Sequence, residues 1–145
     1  EILEEIGLTS DNEYLFSNLK LNPFWKDSYK SGGSFFMYKF DNGFIEIVLR
    51  YIRDTDPISN LIAKGHEETH AADALDKPIL EHLIARFGYD STNIKGLHPE
   101  ARCQIGGLMA LKIRGISLYH NMKSIFNSLD SNYRKWTEEA FEILS

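Results

Sequence analysis

His66, Glu67 and His70 stand in the order His-Glu-x-x-His within Gly65-His66-Glu67-Glu68-Thr69-His70-Ala71-Ala72-Asp73. Residues four apart on an α-helix lie one turn apart on the same face, so two imidazoles at this spacing can be offered to one metal ion. Glu67 sits about a quarter-turn round from His66. A carboxylate there reaches a water activated by the ion without taking a coordination position itself, which is the placement a general base needs. Histidine is sparse, 5 in 145 residues, so the spacing seldom arises by coincidence. A surface helix that happens to carry two histidines is the plain alternative.

The surroundings favour a positioned site. Asp56-Pro57 reads as an N-cap followed by proline at the first helical position. Ile58, Leu61, Ile62, Gly65, Thr69 and Ala72 then recur at helical spacing and define an inner stripe, with His66 and His70 on its flank. Gly65, Ala71 and Ala72 are small and admit another backbone. Upstream, Phe35–Phe40 and Phe44–Ile52 are β-rich runs around Asp41-Asn42-Gly43, the signature of a hairpin. An exposed strand edge there could take an extended peptide by strand addition.

Residues 1–21 read as helical, with Ser10 and Glu13 as a capping-box pair. Residues 21–34 read as a loop through Pro23, Phe24, Trp25, Tyr29 and Gly32-Gly33. Asp76-Lys77-Pro78 should end the motif helix. A short helix from Pro78 to Phe87 closed by Gly88, a helix from Pro99 to about Arg114, one at about 116–128 and a last one capped by Asp130 or Ser131 complete the chain. The expected class is α+β: a single compact domain over residues 1–145, with a small antiparallel sheet and hairpin packed on a mostly helical body that carries the motif helix.

The net charge of −5 and the absence of a basic run argue against a nucleic-acid footprint. No apolar run is long enough to span a membrane. One cysteine excludes an internal disulfide and suits a reducing cytoplasm. The chain opens on Glu1, so trimming of the N-terminus, including loss of a signal peptide, stays open.

A catalytic zinc takes three protein ligands and keeps one open position. Four residues could be the third. Asp76 follows His70 by the interval that metzincins use, but that turn wants a glycine where Asp73 stands. His82 lies within an amphipathic helix, and His98 equally well caps one. Glu100 opens a helix far enough along the chain to loop back, and is preferred. Its plain alternative is a glutamate favoured by the dipole of a first helical turn. Gln104, one turn on, and Asp73, on the His70 face, are candidates to orient the histidines. Cys103 could face the same ion or simply pack. Tyr119, His120 and Tyr89 are candidate donors to a transition-state oxyanion.

His-Glu-x-x-His on a helix is the zinc signature of metallopeptidases, the zincins. With Glu100 as third ligand the chain resembles a compact gluzincin. Over residues 44–112, Glu100-Ala101-Arg102-Cys103-Gln104-Ile105-Gly106-Gly107-Leu108-Met109 is similar in outline to the second motif of the ImmA/IrrE-like metallopeptidases, with Arg102 where that family carries asparagine. The resemblance implies a zinc-dependent hydrolase, a metalloprotease acting on a peptide or protein. It also implies an alternative: a zincin-fold regulatory or sensing module with a protein partner and little turnover.

Overall fold

The structure, a computed structural model, describes residues 14–16, 19–27, 32–53, 56–76, 78–127 and 129–145. It is α+β, as expected: a sheet lies against a helical body. Strands β3 (Gly32–Lys39) and β4 (Ile45–Arg53) form the antiparallel hairpin. Its turn closes through Phe40 N–H to the Phe44 carbonyl at 2.8 Å and Gly43 N–H to the Phe40 carbonyl at 3.0 Å. Gly43 takes a φ of +82°, which a side-chain-bearing residue adopts only with strain.

The sheet is larger than the hairpin. Strands β1 (Tyr14–Phe16) and β2 (Leu19–Asp27) join it in the order β1-β2-β4-β3, and β2 runs parallel to β4 from Leu19 against Ile45 to Asp27 against Arg53. This corrects two expectations. The helix expected through residue 21 is strand wherever it is described, and Pro23, Phe24 and Trp25, expected in a loop, lie in β2. Parallel pairing with a distant strand is a tertiary term that local patterns do not carry. Among the described residues β1 pairs with β2 only at Leu19 and Lys20, short of Pro23. Ser10 and Glu13 lie outside the described residues.

Helix α1 (Pro57–Ala74) carries the motif. Asp56 caps it, accepting from Ile58 N–H at 2.9 Å. It packs on the face of the hairpin from which the fully buried Ile47, Leu49 and Tyr51 project. It ends before Asp76, whose φ is +53°. Helix α2 (Ile79–Arg86) follows, closed by Gly88, and then α3 (Pro99–Ile113), closed by Gly115. The helix expected at about 116–128 is shorter: a 3-10 turn at Tyr119–Asn121 and α4 (Met122–Phe126). Helix α5 (Ser131–Leu144) is capped by Asp130, which accepts from Tyr133 N–H at 2.8 Å. Among the described residues no helix is long and apolar enough to cross a membrane.

Three glycines set the crossing of α1 and α3. A Cβ on Gly65 would lie 2.6 Å from the Gly106 carbonyl oxygen and 2.9 Å from Gly107 Cα. One on Gly107 would lie 2.8 Å from the Ile62 carbonyl oxygen. The two backbones therefore touch where larger residues would hold them apart, and helix α5 packs on the other side of α3.

Candidate metal centre

The close crossing brings the first turn of α3 to the histidine face of α1. His66 Nε2 lies 2.9 Å from Glu100 Oε2, and His70 Nε2 lies 3.1 Å from Glu100 Oε1. One carboxylate thus meets both imidazoles, whose ring centroids are 5.0 Å apart. The His66 and Glu67 residues are buried, at 6 % exposure each, whereas the His70 and Glu100 side chains retain 24 % and 25 %. The centre therefore opens to solvent on the His70–Glu100 side and is closed behind His66 and Glu67.

Electrostatics follow from this placement. The hydrogen bond from His66 holds the Glu100 carboxyl down at about 2 despite partial burial, with both imidazoles and the Tyr133 hydroxyl adding to the effect. Burial works against charge on His66, but the Glu100 hydrogen bond, the Glu67 and Glu100 charges and the Gln104 hydrogen bond raise its pKa overall. Burial and the neighbouring His66 charge lower that of His70. Glu67 goes the other way: burial and the Glu100 charge push its carboxyl up to about 7, although His66 opposes them. Its Oε2 is buried and has no hydrogen-bond partner among the described residues.

Gln104 accepts the place expected for it. Its Oε1 lies 2.6 Å from His66 Nδ1, on the side of the ring away from Glu100. Its amide nitrogen donates to Thr137 Oγ1 at 2.7 Å. Asp73 does not serve His70 in the way expected. Both its oxygens accept from Arg102, at 2.9 and 3.0 Å, and it acts on His70 only as a nearby charge. Arg102 also reaches Glu81 at 2.6 Å and the Ile94 carbonyl at 3.0 Å, so the guanidinium ties α1, α2 and the 88–97 loop to α3.

The rejected ligand candidates lie elsewhere. Asp76 is exposed beyond the helix end, and His82 is exposed on α2. His98 caps α3, accepting from Glu100 N–H at 3.1 Å, and stacks on Trp136 at 4.7 Å. The oxyanion candidates need correction too. Tyr119 is 75 % exposed on the 3-10 turn, edge-on to His120, and Tyr89 donates to the Leu144 carbonyl at 3.0 Å. Gly115 turns the chain out of α3 there, so following the ligand helix in sequence does not mean returning to its first turn.

The hydroxyl that the fold does bring is Tyr133, first turn of α5, donating to Glu100 Oε2 at 3.1 Å with its ring centroid 5.9 Å from that of His66. Burial and the Glu100 charge keep the phenol protonated well above neutral pH. In the sequence Tyr133, Trp136, Ala140 and Ile143 read as packing residues of this helix; Tyr133 instead reaches the Glu100 carboxylate, and nothing in the spacing singled out Thr137.

Two imidazoles and a carboxylate are a donor set of the kind that holds a divalent metal ion. Cys103 is a further candidate: among the described residues, the possible ligand atoms of His66, His70 and Cys103 all lie within 4.8 Å of one another. It is fully buried, and burial together with the Glu100, Asp73 and Glu67 charges pushes its thiol up in the metal-free chain. No protein family, curated protein or solved structure matches this chain.

Proposed function

We propose that this protein is a zinc-dependent peptide hydrolase of the gluzincin kind, with His66, His70 and Glu100 as metal ligands and Glu67 as general base. The observation that carries the reading is the Glu67 carboxyl: buried beside the imidazole pair, with Oε2 unpartnered among the described residues and its pKa pushed up to about 7 in the metal-free chain. A carboxyl buried at that cost with an unused oxygen suits a group that handles protons at neutral pH.

Bound zinc supplies the positive charge that acidifies water and polarises a carbonyl. The chain supplies the rest. Glu67 Oε2 takes the proton of the attacking water and delivers it to the leaving amine. Tyr133 Oη, neutral and already at the carboxylate, donates to the oxygen on which charge develops. The substrate is placed by β3. It is an outer strand of the described sheet, lies beside α1 and exposes Phe36 and Tyr38, with Phe40 exposed just beyond its end, so an extended peptide can pair along it. A cytoplasmic setting fits the single cysteine, Cys103, which is free.

Protein purified without chelator should hold about one zinc per chain. His66→Ala and His70→Ala should lose it, and Glu100→Ala should weaken binding at least as much as the 10–100-fold that loss of an outer partner costs, about. Cys103→Ser should bind normally. Metal analysis and competition with a chromophoric chelator measure all four. A chain that neither carries nor takes up zinc sinks the proposal. Normal binding by Glu100→Ala with loss in Cys103→Ser would move the third ligand to the thiol.

Tyr133→Phe should keep zinc and lower kcat by about 10²–10³ with little change in KM, because the lost hydrogen bond is one made to developing charge. Steady-state kinetics on a peptide that the wild type cleaves decide this. An unchanged kcat removes Tyr133 from the mechanism. A zinc-loaded wild type that cleaves no peptide favours the regulatory module instead.

A further inference from the structure

Helix α5 reaches the candidate centre from two residues one turn apart. Tyr133 does so directly, on Glu100. Thr137 does so through another side chain, and we infer that it is a positioning residue: by fixing the Gln104 amide it sets which nitrogen of His66 is offered to a metal. This rests on His66 ligating through Nε2.

The argument is a count of protons. The Thr137 hydroxyl has one, and it donates to the Tyr133 carbonyl at 2.6 Å. Toward Gln104 the same oxygen can therefore only accept. The Gln104 group 2.7 Å away must be its NH2. The amide is then fixed end for end, with its oxygen 2.6 Å from His66 Nδ1. An amide oxygen only accepts, so Nδ1 keeps its hydrogen, and Nε2, which donates to Glu100 Oε2 in the metal-free chain, is the nitrogen that would give up its proton to an ion on the Glu100 side.

Turned over, the amide would present N–H to Nδ1. That would draw the hydrogen to Nε2 and close the ligating atom. Gln104 and Thr137 are both buried, at 5 % and 1 % exposure, so solvent does not stand in for either partner. The Thr137 side chain touches no reacting atom; its whole effect passes through the orientation of one amide.

The test is zinc affinity of the full chain, measured by chelator competition. Thr137→Val keeps the shape, removes the hydroxyl and leaves the buried NH2 of Gln104 with nothing to bond but Nδ1. Its affinity should fall by about 10–100-fold. Thr137→Ser should restore wild-type binding. The decisive comparison is a second background. In Gln104→Glu the group has no donor end, so adding Thr137→Val there should cost no further affinity. Should the valine variant not fold, Thr137→Ala carries the same expectations in both backgrounds.

Equal losses in both backgrounds would show a packing role and overturn the inference. So would a Thr137→Val protein that binds zinc as tightly as wild type. A wild type that takes up no zinc removes the proposed function and this inference with it, whereas a zinc-binding wild type matched by its valine variant removes this inference alone.

Discussion

Glu67→Gln should fold, bind zinc and lose peptide hydrolysis by about 10²–10⁴-fold, since glutamine cannot take the proton of the attacking water. It should also be the more stable protein at neutral and alkaline pH when metal-free, and the sign of that effect is diagnostic. Burial raises the Glu67 carboxyl from 4.5 to about 7. Below about pH 4.5 it is protonated in the folded and unfolded chains alike, and there is no penalty. Between there and about pH 7 the unfolded chain ionises while the folded one does not, so stability falls as pH rises. Above that range the full penalty applies, roughly 3 kcal/mol for a displacement of this size. Glutamine carries none of it. Urea denaturation of both metal-free proteins at pH 4 and pH 8 should therefore show a gap only at pH 8, with the variant ahead. Zinc should narrow the gap, because a cation beside His66 favours the ionised carboxylate. Retained hydrolysis in the variant overturns the general-base role, and a gap at both pH values overturns the burial argument.

The motif is local: one helix turn suffices to place His66, Glu67 and His70, and the Asp56-Pro57 cap fixes where that turn begins. The Asn42-Gly43 turn is local as well. Glu100 was legible because a carboxylate in a first helical turn can be brought round whole by one helix crossing. What required the fold were the partners that meet across helix crossings. Asp73 faces His70 in a helical projection, yet Arg102 from α3 takes both its oxygens. Tyr119 and His120 come soon after the ligand helix in sequence, yet Tyr133 on α5 reaches Glu100. Thr137 acts across two hydrogen bonds that no spacing rule contains. Strand β2 was missed for the same reason, being held by a parallel partner more than twenty residues away.

Gly65→Ala tests whether the helix crossing is what assembles the ligands. Alanine is the better helix former by up to about 1 kcal/mol, so a free-standing helix would gain. Here the added Cβ meets the Gly106 carbonyl oxygen at 2.6 Å and Gly107 Cα at 2.9 Å. Both are backbone atoms, which cannot turn aside as a side-chain tip can, so α1 and α3 must separate. The expected result is a net loss of about 1–3 kcal/mol, as for other overpacked cores. Zinc affinity should fall with it, because His66 and His70 ride on α1 and Glu100 on α3. Loss of affinity could also follow from weakened folding alone, so a variant destabilised elsewhere is the control. Ile125→Ala removes a buried side chain from α4 and should cost about 2–5 kcal/mol, with zinc affinity of the folded protein preserved. Chemical denaturation and chelator competition on both variants separate the two effects. If Gly65→Ala is as stable as wild type, or is destabilised yet binds zinc like the Ile125→Ala control, the glycine contact does not set the spacing between the histidines and Glu100.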